Sequence, residues 1–178
     1  VLDLSVAYMQ ERQQFGRPIA SFQALKHRAA DMMLQVECAR SASYYAACVA
    51  QEVLDPQGDP QVASELPLAA ALAKAQCSET FFHCASESIQ LHGGVGFTWE
   101  YDPHLYFKRA RASEQLLGSP ALHRDLGLTS WLDQLGFDEA WIGEHHSCGT
   151  EIVADPMIFC ATALSTSSLL TMRARCST

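Results

Sequence analysis

Two long helical patterns of apolar residues constrain the fold of this chain more than any other feature. The first runs from Phe22 to about Leu54, and the second runs from about Pro67 to a glycine pair, Gly93 and Gly94. Residues three and four apart share one face of a helix, so each pattern predicts a long amphipathic helix. Such a helix must bury its apolar stripe against other helices, which favours a mainly α fold. The first pattern rests on apolar or small residues at helical spacing: Leu25, Ala29, Met32, Val36, Ala39, Ser43, Ala46, Ala50 and Val53.

Two shorter patterns complete an antiparallel four-helix bundle. One covers Val1 to about Gln14, and the other starts at Asp102 and Pro103 and runs through Ala110. Aspartate followed by proline is typical of a helix start. Short connections favour antiparallel neighbours, so the four helices should form a bundle. Because Val1 already lies inside an apolar pattern, we expect the natural protein to begin further upstream.

The character of the sequence changes after Leu126, where we place the end of the bundle domain (residues 1–126). The segment 121–126 adds at most a short helix, and Trp131 begins another that stops before Gly136. Residues 137–143 predict a strand, and residues 155–163 predict a further helix. Helix, strand and helix in this order are typical of an α/β unit, so residues 127–178 should form an incomplete α/β appendage. From residue 164 the periodicity is lost, which predicts a frayed tail.

Composition excludes several classes of function. The net charge is −8 and the basic residues are scattered, so the chain offers no basic face to nucleic acid. Seven cysteines occur without any CxxC spacing, which predicts a reducing compartment and no metal site. No apolar run approaches membrane-spanning length and no signal sequence is recognisable. These features together predict a cytoplasmic protein.

The stretch IQLHGGVGFTWE, residues 89–100, is the first candidate site. Glycines directly after a helix supply a left-handed cap and let a ligand approach the backbone. Gln90 and His92, on the last helical turn, could face that ligand. A plain helix end followed by a turn explains the same glycines, and the residues alone favour that interpretation. No strand precedes the GGxG run, so it is not a Rossmann dinucleotide motif.

The stretch YMQERQQFGRPIASFQALKH, residues 8–27, is the second candidate site. Arg12 lies next to a turn that contains Phe15, and Gln23 starts the following helix. A guanidinium beside a turn is well shaped for a bidentate phosphate contact. The same residues are also explained by a solvated surface arginine with Phe15 in the core. The residues alone favour that simpler interpretation.

Two separated motifs, RQQFGRPIASFQALKHRAADM and SIQLHGGVGFTWEYDPHLYFKRA, strongly resemble the C-terminal helical domain of the acyl-CoA dehydrogenase family. The resemblance covers about residues 1–126. It implies an oxidoreductase that removes an α-proton and a β-hydride from an acyl-CoA thioester, with FAD as the hydride acceptor. It also implies an acyl-CoA substrate, an electron-transfer acceptor, and a homo- or hetero-oligomer, either a dimer or a tetramer.

The same resemblance assigns cofactor-binding residues. In that family the flavin lies at a subunit interface, and Arg12 would contact its pyrophosphate with Phe15 and Gln23 as neighbouring contacts. The partner subunit would supply three further contacts: Gln90, Gly93 and Gly94.

The catalytic base is absent from its usual place. In the commonest form of the family the base is a glutamate in a Tyr, Glu, Gly, Thr run, and Leu117 occupies that position here. A leucine cannot take a proton. Glu114 lies one helical turn earlier and is expected at the surface. Other branches carry the base upstream of Val1, or form mixed assemblies in which a partner chain supplies it.

Residues 127–164 resemble the early part of the luciferase-like flavin monooxygenases, through the run LDQLGFDEAWIGEHHSCGTEIVADPMIFCATAL. The resemblance makes His145 or His146 the active-site histidine of a β/α barrel, with Glu144 beside it. Adjacent histidines in a solvated loop are the commoner explanation of this pair. A barrel needs roughly 250 residues and eight strands, so this fragment should not form a working site.

Three functions therefore stay open. The leading one is a FAD-dependent acyl-CoA dehydrogenase whose base lies upstream or in a partner chain, with the present residues inactive alone. The second is a non-catalytic assembly subunit, favoured by Leu117. The third is a luciferase-like monooxygenase, favoured only by residues 127–164.

Overall fold

The computed structural model describes the backbone of residues 1–134, 139–144 and 171–176, and the side chains of residues 1–127. The described chain is mainly helical, which confirms the predicted fold class. Its helices are α1 (Leu2–Glu11), α2 (Gln23–Leu54), α3 (Pro60–Ala63), α4 (Leu66–His92), α5 (Pro103–Gln115) and α6 (Pro120–Gln134). Its strands are β1 (Gln13–Gln14), β2 (Arg17–Pro18), β3 (Glu139–Glu144) and β4 (Thr171–Cys176), and two 3₁₀ turns cover Ile19–Ser21 and Gly93–Phe97.

All four predicted bundle helices are present as α1, α2, α4 and α5, with differences at their ends. α1 stops at Glu11 rather than near Gln14, because residues 13–18 form the β1–β2 hairpin instead. The short helix α3 was not predicted. Its start is stabilised by Asp59, whose side chain accepts a hydrogen bond from the Gln61 N–H at 2.8 Å.

The chain divides into two compact units, and the first comprises residues 1–44 and 76–117. Within it, α2 and α4 run antiparallel, because the sulfur of Cys84 lies 3.8 Å from the Met32 carbonyl and that of Cys77 lies 3.5 Å from the Ala39 carbonyl. α1 runs parallel to α4, with the Ser5 hydroxyl 2.9 Å from that of Ser88. The core of this unit consists of Met9, Ile19, Met32, Cys84 and Leu91.

The second unit comprises residues 45–75 and 118–178. Its helix α6 continues through Gly127, where a β-carbon would lie 3.2 Å from Leu68 and 3.8 Å from Leu72. The prediction of two separate short helices here was wrong, because glycine serves close helix packing at this position rather than a break. The expected boundary between residues 126 and 127 falls inside α6.

β3 and β4 pair in parallel, with Glu139 opposite Thr171 and Glu144 opposite Cys176. β3 confirms the strand predicted at 137–143. β4 lies where loss of periodicity predicted a frayed tail, so the backbone of residues 171–176 differs from that expectation. The predicted helix at 155–163 and the histidines His145 and His146 lie outside the described residues.

Candidate functional site

A two-residue turn at Phe15 and Gly16 forms the tip of the first predicted cofactor loop. β1 and β2 pair with Gln14 opposite Arg17, and the turn residues have φ values of 55° and 75°. These values correspond to a type I′ hairpin turn. A positive φ costs a residue with a side chain about 1–2 kcal/mol. Phe15 is nevertheless 90% exposed, so packing against the described chain does not compensate for that cost.

Arg12 lies at the base of this hairpin with its backbone held on both sides. Its N–H donates to the Tyr8 carbonyl and its own carbonyl accepts from the Ile19 N–H, both at 2.8 Å. The Arg12 side chain is exposed and makes no hydrogen bond or ion pair with a described residue. Arg17 differs, because its guanidinium carbon lies 4.2 Å above the ring of Phe22. Arg12 therefore presents an unengaged guanidinium from a fixed backbone.

Gln23 is the first residue of α2 and directly follows Phe22, which packs against the tip of the hairpin. Phe22 meets Phe15 edge to face, with ring centroids 6.0 Å apart. Gln23 is exposed, and its side-chain N–H donates to Nε2 of His27 at 2.8 Å. The structure thus places Gln23 near the hairpin in the fold, but shows no hydrogen bond between it and Arg12.

The second predicted loop begins where α4 ends at His92. Gly93 has a φ of 65°, which confirms the left-handed cap, and it opens a 3₁₀ turn. Gly96 is buried, and a β-carbon there would lie 2.8 Å from the carbonyl oxygen of Ile89. The fold therefore favours glycine at position 93 because of its positive φ, and at position 96 because a β-carbon would clash with the helix backbone.

Gly94 meets no such requirement. Its φ lies outside the left-handed region, and a β-carbon at Gly94 or Gly93 would meet no described atom within 4 Å. Gln90 is exposed on the last turn of α4, beside this open space along the chain. A bare backbone beside open space allows another molecule to approach closely. The packing of the described residues therefore does not require glycine at position 94.

Tyr8 connects the two loops, a role that the sequence analysis did not assign. Its ring stacks on that of His92 with centroids 4.1 Å apart, and its hydroxyl donates to the His92 carbonyl at 3.3 Å. Its own carbonyl accepts the hydrogen bond from Arg12. The structure therefore brings the Arg12 loop and the Gly93 loop to the same end of the first unit. The sequence places Tyr8 one helical turn before Arg12, but contains no signal that pairs it with His92.

The usual position of the base is apolar and exposed. α5 ends at Gln115, and Leu117 is 82% exposed with a φ of 63°. Glu114, expected at the surface, is partly buried, with a side chain that is 12% exposed and pairs with Arg111 one turn earlier. The Glu114 carboxylate therefore forms an ion pair with Arg111 within the first unit.

A groove of about 1080 Å³ runs along the first unit and was not predicted. Residues of α1, α2, α4 and α5 line it, and most of them are apolar. Its ionisable residues include Arg109 and Arg40, the latter 3.5 Å from Glu37. The small residues of α2 had indicated close approach of a neighbouring helix, but not an open groove.

Asp125, in the second unit, is a buried carboxyl group that the sequence analysis did not select. Burial raises the pKa of Asp125 to about 6. No group of three or more metal-ligating side chains occurs among the described residues. None of the described helices is long and apolar enough to cross a membrane.

The sequence profile of the family described as acyl-CoA dehydrogenase, C-terminal domain, matches residues 1–130. This chain belongs to the acyl-CoA dehydrogenase family. The match includes the hairpin, the glycine loop and Leu117, and it ends before β3. No relative named below is a luciferase-like monooxygenase.

Several acyl-CoA dehydrogenases are similar to this chain over part of their length. Acyl-CoA dehydrogenase IpdE2 of Mycolicibacterium smegmatis is 46% identical over 119 residues, which are 67% of this chain and 33% of that protein. The protein of the same name from Mycobacterium tuberculosis is 49% identical over the same shares. Butyryl-CoA dehydrogenase from Megasphaera elsdenii has a TM-score of 0.62 at 31% identity, covering 71% of this chain and 30% of that one. The chain thus spans about a third of the length of these acyl-CoA dehydrogenases.

Proposed function

We propose that this chain is the C-terminal part of a FAD-dependent acyl-CoA dehydrogenase and carries two half-sites for FAD. The first half-site is the hairpin with Arg12 and Phe15, followed by Gln23. The second is the loop of Gln90, Gly93 and Gly94. The observation that carries the proposal is the open space beside Gly94, a glycine that the fold of the described residues does not require.

The exposed side chains suit a dinucleotide with two phosphates. The Arg12 guanidinium can donate two parallel hydrogen bonds to phosphate oxygens, and the Phe15 ring offers an apolar face to a flat heterocycle. The backbone at Gly93 and Gly94 allows close approach, and the Gln23 amide can donate and accept hydrogen bonds. When bound, FAD accepts the hydride from the β-carbon of the substrate. The residues of this chain would hold and orient it, with half-sites from two subunits meeting at one cofactor.

Removal of the α-proton falls to a group other than the residue at position 117. Leu117 is exposed and has no proton-accepting atom in its side chain. The base must therefore come from the upstream part of a longer protein or from a partner chain. The alternative, an assembly subunit without catalytic chemistry of its own, rests on the same leucine. Both versions retain the FAD half-sites.

FAD binding by the purified chain, measured by equilibrium dialysis, tests the half-sites. Arg12→Ala should weaken binding by about 10-fold or more, because a hydrogen bond to a charged group contributes about 1.5–3 kcal/mol. Lys26→Ala removes another exposed cation of the first unit and serves as the matched control, with affinity expected to stay unchanged. Equal affinities for the wild type and Arg12→Ala would contradict the pyrophosphate contact.

Dehydrogenation itself requires the longer protein. Adding an acyl-CoA to that protein, alone or with its partner chain, should bleach the flavin absorbance. Bleaching supports the enzyme. If FAD binds but no bleaching follows with any partner, the assembly subunit becomes the better description.

A luciferase-like monooxygenase is a second candidate for residues 127–164, and its support is that β3, within this range, pairs in parallel with β4, which lies beyond it. Parallel strands that follow a helix are the arrangement of a β/α barrel. We expect no turnover with reduced flavin and oxygen, because a barrel needs roughly 250 residues and eight strands, far more than this fragment contains. Turnover that is lost in a His145→Ala or His146→Ala variant would favour this second function.

A further inference from the structure

We propose that Tyr8 is a positioning residue that holds the two FAD half-sites of one chain at a fixed separation. The inference rests on the proposed function above. Tyr8 contacts both loops: its carbonyl accepts the Arg12 N–H at 2.8 Å, and its hydroxyl donates to the His92 carbonyl at 3.3 Å. The backbone of Tyr8 thereby holds the start of the hairpin, and its side chain holds the point where the glycine turn begins after α4.

His92 is a rigid partner for this contact. Its side chain is buried, and Nδ1 lies 2.7 Å from the Ser88 carbonyl oxygen. A carbonyl oxygen only accepts, so Nδ1 carries the proton and the orientation of the ring is fixed. The hydroxyl of Ser88 in turn lies 2.9 Å from that of Ser5 on α1. α1 and α4 are therefore joined at two successive turns, and the Tyr8–His92 pair is the one next to both loops.

Tyr101 restricts the pair from another direction. Its ring meets Tyr8 edge to face at 5.8 Å and lies 5.9 Å from the ring of His92. Such edge-to-face contacts between rings are favourable beyond the area that they bury. Tyr101 follows the glycine loop, so the backbone on both sides of Gly93 and Gly94 returns to the same ring of Tyr8.

Each half-site must lie correctly against the half-site of the partner subunit that binds the same FAD, because a displacement of about 1 Å between two groups that bind one ligand is enough to lower its binding or reactivity strongly. In an oligomer where each FAD takes the Arg12 loop from one subunit and the Gly94 loop from another, Tyr8 connects two cofactor sites. Loss of Tyr8 should then weaken FAD binding even though Tyr8 itself makes no contact with the cofactor in this proposal.

Three variants test this inference: Tyr8→Phe, Tyr8→Leu and the control Val6→Ala, a half-buried residue on the same helix. Tyr8→Phe keeps the ring stack but loses the hydroxyl bond, so the Kd for FAD should rise about 2- to 10-fold. Tyr8→Leu loses both, and the Kd should rise on the order of 10- to 100-fold. Val6→Ala should leave it unchanged. The circular dichroism of the bound flavin, which reports its orientation, should change in both Tyr8 variants only.

The outcomes separate the two proposals. If the wild type binds no FAD, the proposed function fails and this inference fails with it. If Arg12→Ala weakens binding but both Tyr8 variants match the wild type in Kd and flavin dichroism, the positioning role alone is wrong. An equal loss in Val6→Ala would show a general packing effect and would also overturn it. If Tyr8→Leu does not fold, Tyr8→Phe decides by the same two measurements.

Discussion

Alanine substitutions at Gly93, Gly94 and Gly96 should separate what the fold demands of the glycine loop from what a cofactor demands. Gly96→Ala places a β-carbon 2.8 Å from the Ile89 carbonyl oxygen and 3.1 Å from its Cα, atoms of a helix backbone that cannot rotate away. Overpacking of this kind costs about 1–3 kcal/mol or more. Gly93→Ala meets open space but must keep a φ of 65°, which costs about 1–2 kcal/mol.

Gly94→Ala should behave differently from both neighbours. It meets neither a clash nor a positive φ, so its stability should equal the wild type or exceed it by about 0.4–1 kcal/mol. The new β-carbon nevertheless projects into the space where we place FAD, so the affinity for FAD should fall. Gly94→Ala is thus expected to lower binding without lowering stability.

Urea titration of the three variants without FAD measures the stabilities, and equilibrium dialysis measures FAD binding. A loss of 1 kcal/mol corresponds to a fall of about 2–4 °C in Tm for a chain of this size. Gly93→Asn is the matched control, because asparagine tolerates the left-handed conformation better than alanine does. If Gly94→Ala is destabilised as much as Gly96→Ala, position 94 is packed and the open-space argument is wrong. Unchanged FAD affinity in Gly94→Ala would remove this loop from the cofactor site.

Substitutions at four buried polar residues, His104, Asp125, Ser5 and Ser88, give three further predictions. His104 is 5% exposed, and neither ring nitrogen has a hydrogen-bond partner among the described residues. His104→Phe can keep the edge contact with Trp99, so it should raise the free energy of unfolding, measured by urea titration, by about 1 kcal/mol. A lower urea midpoint would contradict this. The raised pKa of Asp125 means that the folded state binds its proton more tightly, so this stabilisation is complete below pH 3.8 and is lost as the pH rises through about 6. Asp125→Asn should therefore flatten the fall in stability, of at most about 3 kcal/mol, measured by denaturation between those pH values; an unchanged slope would assign it to other groups. Ser5→Ala should cost about 1–3 kcal/mol by removing the hydroxyl that pairs with buried Ser88. Ser88→Ala should cost less, because the Ser5 hydroxyl still donates to the Val1 carbonyl at 3.0 Å. The double variant should cost less than the sum of the two losses; additive losses would rule out this coupling.

The helices were predictable because their signals are local. The periodicity of residues 22–54 reproduces α2 almost to the residue, and the glycine pair marks the end of α4 because its cap needs a left-handed residue at Gly93. Local signals also misled. The patterns at 121–126 and from Trp131 predicted two short helices, but one helix, α6, covers both, and Gly127 within it packs closely against Leu68.

The candidate site was predictable as a set of residues but not as an arrangement. The family motifs select Arg12 and Gly94, whereas the exposure of the hairpin and the space beside Gly94 follow only from the folded backbone. Tyr8 could not be selected, since its partner His92 lies 84 residues away and neither residue carries a distinctive pattern. The partial burial of Glu114 could not be predicted either, because a single carboxylate on a helix does not reveal which face packs.

The amino-acid sequence by itself determined the helical class, the family and the absence of a proton acceptor at Leu117, because these depend on side-chain identity and on spacing along one helix. Only the tertiary structure decided which loops share one end of the first unit, and which glycines the fold requires. Those properties depend on contacts between residues far apart in the chain, and no periodicity within one segment records them.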